Sequence, residues 1–144
     1  MKRASKHNAR RHTATVGGQE CHFDSMAEHR YAEHLERERK AGRIASWQHH
    51  PKPGVIVMVG ERPAYEMEVD FVVCRRGGIR LEWHEVKGMA TAAWRIKRKV
   101  MYLAMPHIAY VVIDAGRGVC ATGEGEPALF DERPRRRRRA KAKK

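Results

Sequence analysis

Asp70, Glu85 and Lys87 are the residues of this chain whose types and spacing point most directly to chemistry. Asp70 stands in an otherwise apolar run of Val69, Phe71, Val72 and Val73, and an acid within a strand core needs a cation, a hydrogen-bond network or a catalytic reason. The run Tyr65 to Cys74 is rich in β-branched and aromatic residues. It reaches a turn signal at Arg75-Arg76-Gly77-Gly78, and Ile79 to Lys87 resumes a strand pattern, which predicts a hairpin. A period of two puts Leu81, Trp83, Glu85 and Lys87 on one face, so a carboxylate and an ammonium emerge side by side at the strand end. Carboxylates gathered in one place suit a hard divalent cation, and with no soft ligand set present the expected ion is Mg²⁺ or Mn²⁺.

These elements must be positioned by the rest of the chain. Ser25-Met26-Ala27-Glu28 opens a helix expected from about Ser25 to Ala41, stopped by Gly42, with Ala27, Tyr31 and Leu35 inward and Arg30, Glu33, Arg37 and Lys40 outward. Before it, Gly17-Gly18 suggests a small hairpin of Thr13 to Val16 and Gln19 to Phe23. Glu28 admits two readings: the far half of a capping box, or an acid at the edge of the buried stripe. Ile44 to Trp47 and Gly54 to Gly60 read as strands around the loop His49-His50-Pro51-Lys52-Pro53. Adjacent histidines on an extended segment point opposite ways, which argues against a metal there. Glu66, Glu68 and Asp70 share a strand face, of which Asp70 alone is expected to reach the site. A second helix is expected from Met89 or Thr91 to about Met105, with Ala93, Ile96 or Lys97, Val100 and Ala104 inward and Arg95, Arg98 and Lys99 at its outer edge. His107 to Asp114 then reads as a short buried strand.

The motifs together resemble the D…(D/E)xK signature of the PD-(D/E)XK nuclease superfamily, with fourteen residues between Asp70 and Glu85-Val86-Lys87. They are closest to a phage and prophage branch catalogued as a domain of unknown function. The matching pieces are Phe23-Asp24-Ser25-Met26-Ala27-Glu28, Val69-Asp70-Phe71, Glu85-Val86-Lys87-Gly88 and Trp94-Arg95-Ile96-Lys97-Arg98-Lys99, over roughly Asn8 to Asp114. The superfamily's proline before the first acid is replaced by Val69. The resemblance implies an α/β restriction-endonuclease-like core, a mixed central β-sheet flanked by α-helices. It also implies that Asp70, Glu85, the Val86 carbonyl and Glu28 hold the metal, and that Lys87 stands beside the attacking water and scissile phosphate. Arg95, Lys97, Arg98 and Lys99 would track the DNA backbone.

Charge supports a nucleic-acid partner. The net charge is +13, yet the basic excess lies in 1–12, with five Lys/Arg, and in 133–144, with nine. The body, 13–132, holds 16 basic and 17 acidic residues. Such basic blocks bind polyanions by counterion release, so Arg135, Arg136, Arg137, Arg138 and Arg139 join the DNA-binding expectation. The expected organisation is a basic arm (1–12), a nuclease core (13–114), an irregular Gly-rich segment (115–132) and a basic tail (133–144). Cys21, Cys74 and Cys120 are odd in number and widely spaced, which speaks for a reducing compartment and against a disulfide framework. Without an apolar run of membrane length, a cytoplasmic location is expected, in the host if the chain is phage-encoded.

The resulting expectation is a metal-dependent DNA endonuclease, structure-selective for branched DNA such as Holliday junctions and acting as a homodimer. The rivals are a non-catalytic nucleic-acid-binding protein and a nonspecific DNA or RNA nuclease.

Overall fold

Gly17 and Gly18, with φ of +60° and +80°, make the paired left-handed turn that joins β1 (His12–Val16) to β2 (Gln19–Phe23). A Cβ at Gly17 would also lie 2.6 Å from the Glu36 carboxylate, which would have to shift to admit it. The fold is that of a computed structural model, which describes residues 10–78, 80–88, 91–105, 108–114 and 118–119. The basic arm up to residue 9, Cys120, the remainder of the Gly-rich segment and the tail with Arg135 to Arg139 lie outside the described residues.

Helix α1 (Met26–Lys40) starts where expected, since the Ser25 hydroxyl accepts from the Glu28 N–H at 3.2 Å. It ends at Ala41, followed by Gly42 in the left-handed region at φ +71°. Tyr31, Ala32 and Leu35 are buried and Arg30, Glu33, Arg37 and Lys40 face outward. β3 (Ile44–His49) follows, then a hairpin of β4 (Val55–Val59) and β5 (Arg62–Met67), β6 (Phe71–Arg75), β7 (Leu81–Lys87), α2 (Ala92–Ala104), β8 (Ala109–Asp114) and the short β9 (Gly118–Val119).

The chain is thus a mixed α/β protein, dominated by strands, whose central sheet has the order β3-β6-β7-β8-β9. β7 and β8 run parallel and the other neighbours antiparallel. The expected hairpin is β6–β7, turned by Gly77 and Gly78 at φ +101° and +72°. Two layers cover the sheet. Phe71, Val73, Val86, Val111 and Ile113 pack with Tyr31, Ala32 and Leu35 of α1. Val72, Trp83, Tyr110 and Val112 pack on the other side with Trp94 and Met101 of α2 and with Val55, Val57 and Met67 of the β4–β5 hairpin.

Three expectations are corrected. The run Tyr65 to Cys74 is two strands, because β5 leaves the central sheet to pair with β4, and Glu68 to Asp70 form the link. Helix α2 is rotated from the expected stripe: Trp94, Arg98 and Met101 are buried, while Ile96 is 67% exposed. The large Trp94 and Met101 side chains bury more apolar area than the alanines, and spacings of four and three turn them together toward the sheet. The Gly-rich segment contributes β9, paired antiparallel with β8.

Among the described residues no helix is long and apolar enough to cross a membrane.

Candidate functional site

The β6–β7 register pairs Phe71 with His84, Val72 with Trp83 and Val73 with Glu82. One step beyond the last pair, Asp70 comes opposite Glu85. On the other side β3 pairs His49 with Phe71, and the His50 N–H donates to the Asp70 carbonyl at 2.9 Å. His50, Asp70 and Glu85 therefore stand in one row across three neighbouring strands, toward the same end of those strands. Asp70 is fixed there by the Val86 N–H, which donates to its Oδ2 at 2.7 Å.

Glu85 is buried and ion-paired through Oε1 to Lys87, which lies 5.8 Å over the Trp94 ring. Its other oxygen, Oε2, is buried and has no hydrogen-bond partner among the described residues. Burial, and next the Asp70 charge, push the Glu85 pKa up to about 7, against the opposing pull of Lys87. Proximity to Asp70 raises that of His50, against the effect of its partial burial.

Before this row opens a cavity of about 380 Å³ lined by Asp24, His50, Glu66, Glu68, Asp70, Glu85 and Lys97. A second, of about 230 Å³, shares Glu68, Glu85 and Lys97 with it and adds Lys87, Thr91, Trp94 and Tyr110. Glu66 and Glu68, expected to be merely solvated, line the cavity; Glu66 accepts from the Gly54 N–H and Glu68 is paired with Lys52. The first cavity is strongly acidic, so a phosphate would be repelled from it unless a cation stood between.

Glu28 caps the helix in a variant of the expected box, reaching the N–H of Asp24 rather than that of Ser25, and it is buried at the edge of the inward stripe. Its carboxylate accepts from the Asp24 N–H at 3.2 Å and from the Ser25 hydroxyl at 3.1 Å, and its Oε2 lies 3.7 Å from His49 Nε2 and 3.8 Å from His50 Nε2. The histidine pair contradicts the expectation of opposed side chains. His50 adopts φ +41°, which folds its ring back onto that of His49 at 3.9 Å between centroids. Nothing in the residue types signals that left-handed turn, and the following Pro51 by itself favours extended backbone at His50.

On α2, Lys97 overhangs the acidic cavity and Arg95 and Lys99 are exposed. Arg98, expected at the outer edge, is 7% exposed and lies 5.6 Å over the Trp94 ring. The opposite face of β7 holds a network that sequence reading missed. His84 Nε2 meets Glu82 Oε2 at 3.0 Å, Arg75 meets the same oxygen at 2.9 Å, and the Tyr31 hydroxyl meets His84 Nδ1 at 2.7 Å. Hydrogen bonding from His84 and then Arg75 holds the Glu82 pKa down to about 2, despite burial. Burial lowers that of His84, against the pull of Glu82; with Nε2 donating to Glu82, Nδ1 is left to accept from the Tyr31 hydroxyl. The alternation Glu82, His84 in a strand covered on both faces was the signal for it.

The strand order and the acidic row define an α/β domain with a candidate cation site toward one end of its central strands. The chain belongs to the family described as "Protein of unknown function (DUF1064)", whose match spans residues 4–115. No curated protein and no solved structure matches the chain.

Proposed function

We propose that this chain is a metal-dependent endonuclease with a restriction-endonuclease-like core, hydrolysing phosphodiester bonds of DNA. The observation that carries the reading is the convergence of Asp70 and Glu85 across β6 and β7, with the Glu85 Oε2 buried and without a hydrogen-bond partner among the described residues and the Asp70 charge close enough to raise the Glu85 pKa. Two carboxylates in mutual repulsion, one with a free oxygen, fit a hard cation held through oxygen. Asp70, Glu85 and the Val86 carbonyl would hold Mg²⁺ or Mn²⁺, the Val86 N–H fixing Asp70 from behind, with the Glu28 charge bordering from α1. When bound, such an ion supplies charge neutralisation at the phosphate and a more acidic water.

The chain's own groups do the rest. Lys87, held between Glu85 and the Trp94 ring, presents an ammonium that orients the incoming water and stabilises charge on the phosphate. Lys97 reaches the same cavity from α2, and Arg95 and Lys99 offer positive charge to the flanking backbone. Arg98, stacked on Trp94, positions that ring rather than the DNA. The basic tail, 133–144, adds sequence-independent affinity. With no base-reading module in the sequence, shape recognition of branched DNA by a two-fold dimer is the preferred substrate reading.

Incubation of the protein with linear, supercoiled, single-stranded and four-way-junction DNA, in Mg²⁺, Mn²⁺ or EDTA, tests this. Cleavage that needs the ion and is lost in Asp70→Asn is expected. Cleavage by Asp70→Asn equal to wild type refutes the assignment, and binding of DNA without any cleavage favours a non-catalytic protein.

A further inference from the structure

Beside the acid pair lies a second group of ligand-type atoms with different chemistry. Glu28, His49 and His50 each offer one atom, and these lie within 4.8 Å of one another. The two distances from Glu28 Oε2, 3.7 Å to His49 Nε2 and 3.8 Å to His50 Nε2, are too long for hydrogen bonds. They exceed by a few tenths of an ångström the ligand-to-ligand separation of about 3.3 Å around a tetrahedral zinc ion, and the stacked His49 and His50 rings would splay for both nitrogens to face one ion.

Two independent features point to a ligand. The His49 side chain is only 5% exposed, and its Nε2 is buried without a hydrogen-bond partner among the described residues while facing the Glu28 carboxylate. Its ring packs between Phe23 and Phe71 at centroid distances of 4.7 and 5.0 Å, which favours the orientation that faces Glu28. The backbone at His50 is also held in the left-handed region, a conformation that costs energy for a residue with a Cβ and that brings the second imidazole beside the first. Glu28 is oriented from behind by the Asp24 N–H and the Ser25 hydroxyl, the kind of outer contact that fixes metal-binding carboxylates.

We propose that Glu28, His49 and His50 form a second cation site, selective for a borderline transition-metal ion of the Zn²⁺ or Co²⁺ class. Two imidazoles and one carboxylate suit such ions better than Mg²⁺, and three protein ligands leave a position open. The site joins the first turn of α1 to the end of β3. His50 Nε2 lies 3.7 Å from Asp70 Oδ1, so the two sites are neighbours with separate ligand sets.

The test uses the full chain freed of metal by EDTA and desalted, titrated with Co²⁺ and followed by visible absorption, with Zn²⁺ added afterwards to displace it. One strong equivalent is expected, with absorption typical of low coordination number. His50→Ala should weaken binding by at least about tenfold, and Glu28→Gln likewise. The double variant Asp70→Asn/Glu85→Gln should retain the Co²⁺ spectrum, which separates this site from the proposed nuclease centre. His50→Gln replaces His50→Ala if the latter fails to fold by circular dichroism. Wild-type affinity in a folded His50 variant overturns the proposal, as do absence of strong binding and loss of the spectrum in the Asp70/Glu85 double variant.

Discussion

Glu82 and Glu85 are three residues apart on β7 and equally buried, at 7% and 6% exposure, yet their surroundings are opposite. Glu82, on the α1 side, is satisfied by His84 and Arg75, and its pKa falls to about 2. Glu85, on the α2 side, has an oxygen without a partner among the described residues and feels the charge of Asp70, and its pKa rises to about 7. Burial alone therefore does not decide the state of a carboxylate; the partners supplied with it do. One face of the strand holds a closed structural network and the other a cavity in which acids outnumber the lysines that face them.

Breaking the open side should give the largest effect. Asp70→Asn, Glu85→Gln and Lys87→Ala are each expected to lower DNA cleavage by roughly a hundredfold or more, as loss of a group acting on transition-state charge does, while leaving circular dichroism and most DNA affinity unchanged. Plasmid-nicking rates and filter binding check both halves.

Breaking the closed side should instead cost stability. Glu82→Gln removes the charge that Arg75 and His84 face, and an unfolding free energy lower by about 2 kcal/mol in urea titration is expected. Tyr31→Phe deletes only the hydroxyl contact with His84 and should cost about 1 kcal/mol.

pH sharpens the contrast because the two acids act with opposite sign. Glu82, lowered from 4.5 to about 2, contributes stability above pH 4.5 that is lost as pH falls toward 2. Glu85, raised from 4.5 to about 7, takes stability away as pH rises through that interval in metal-free protein. In EDTA, Glu85→Gln is therefore expected to melt higher than wild type at pH 8, by on the order of 1 kcal/mol of stability, and equally at pH 4.5. Equal melting at both values would mean that the oxygen is not stranded.

Much of the open side was legible in the sequence because strand periodicity and hairpin register are local. Fourteen residues between Asp70 and Glu85, with Gly77-Gly78 between them, suffice to bring the two acids opposite each other. The start of α1 was legible for the same reason, as Ser25 and Glu28 signal within one turn. What was not legible depends on partners distant in the chain or on one backbone angle. The Tyr31–His84 contact spans 53 residues. The facing of Arg98 is set by how Trp94 and Met101 meet Tyr110 and Val112, and the stacking of His49 on His50 by a positive φ.

The claim that Glu85 marks a cation site and Glu82 a closed one is tested most directly by calorimetric titration of Mg²⁺ into wild type, Glu85→Gln and Glu82→Gln at pH 8. Mg²⁺ prefers oxygen ligands and so reports on the acid pair rather than on the histidines. The account predicts binding by wild type and by folded Glu82→Gln, and none by Glu85→Gln; equal Mg²⁺ binding in all three, or none in wild type, would contradict it.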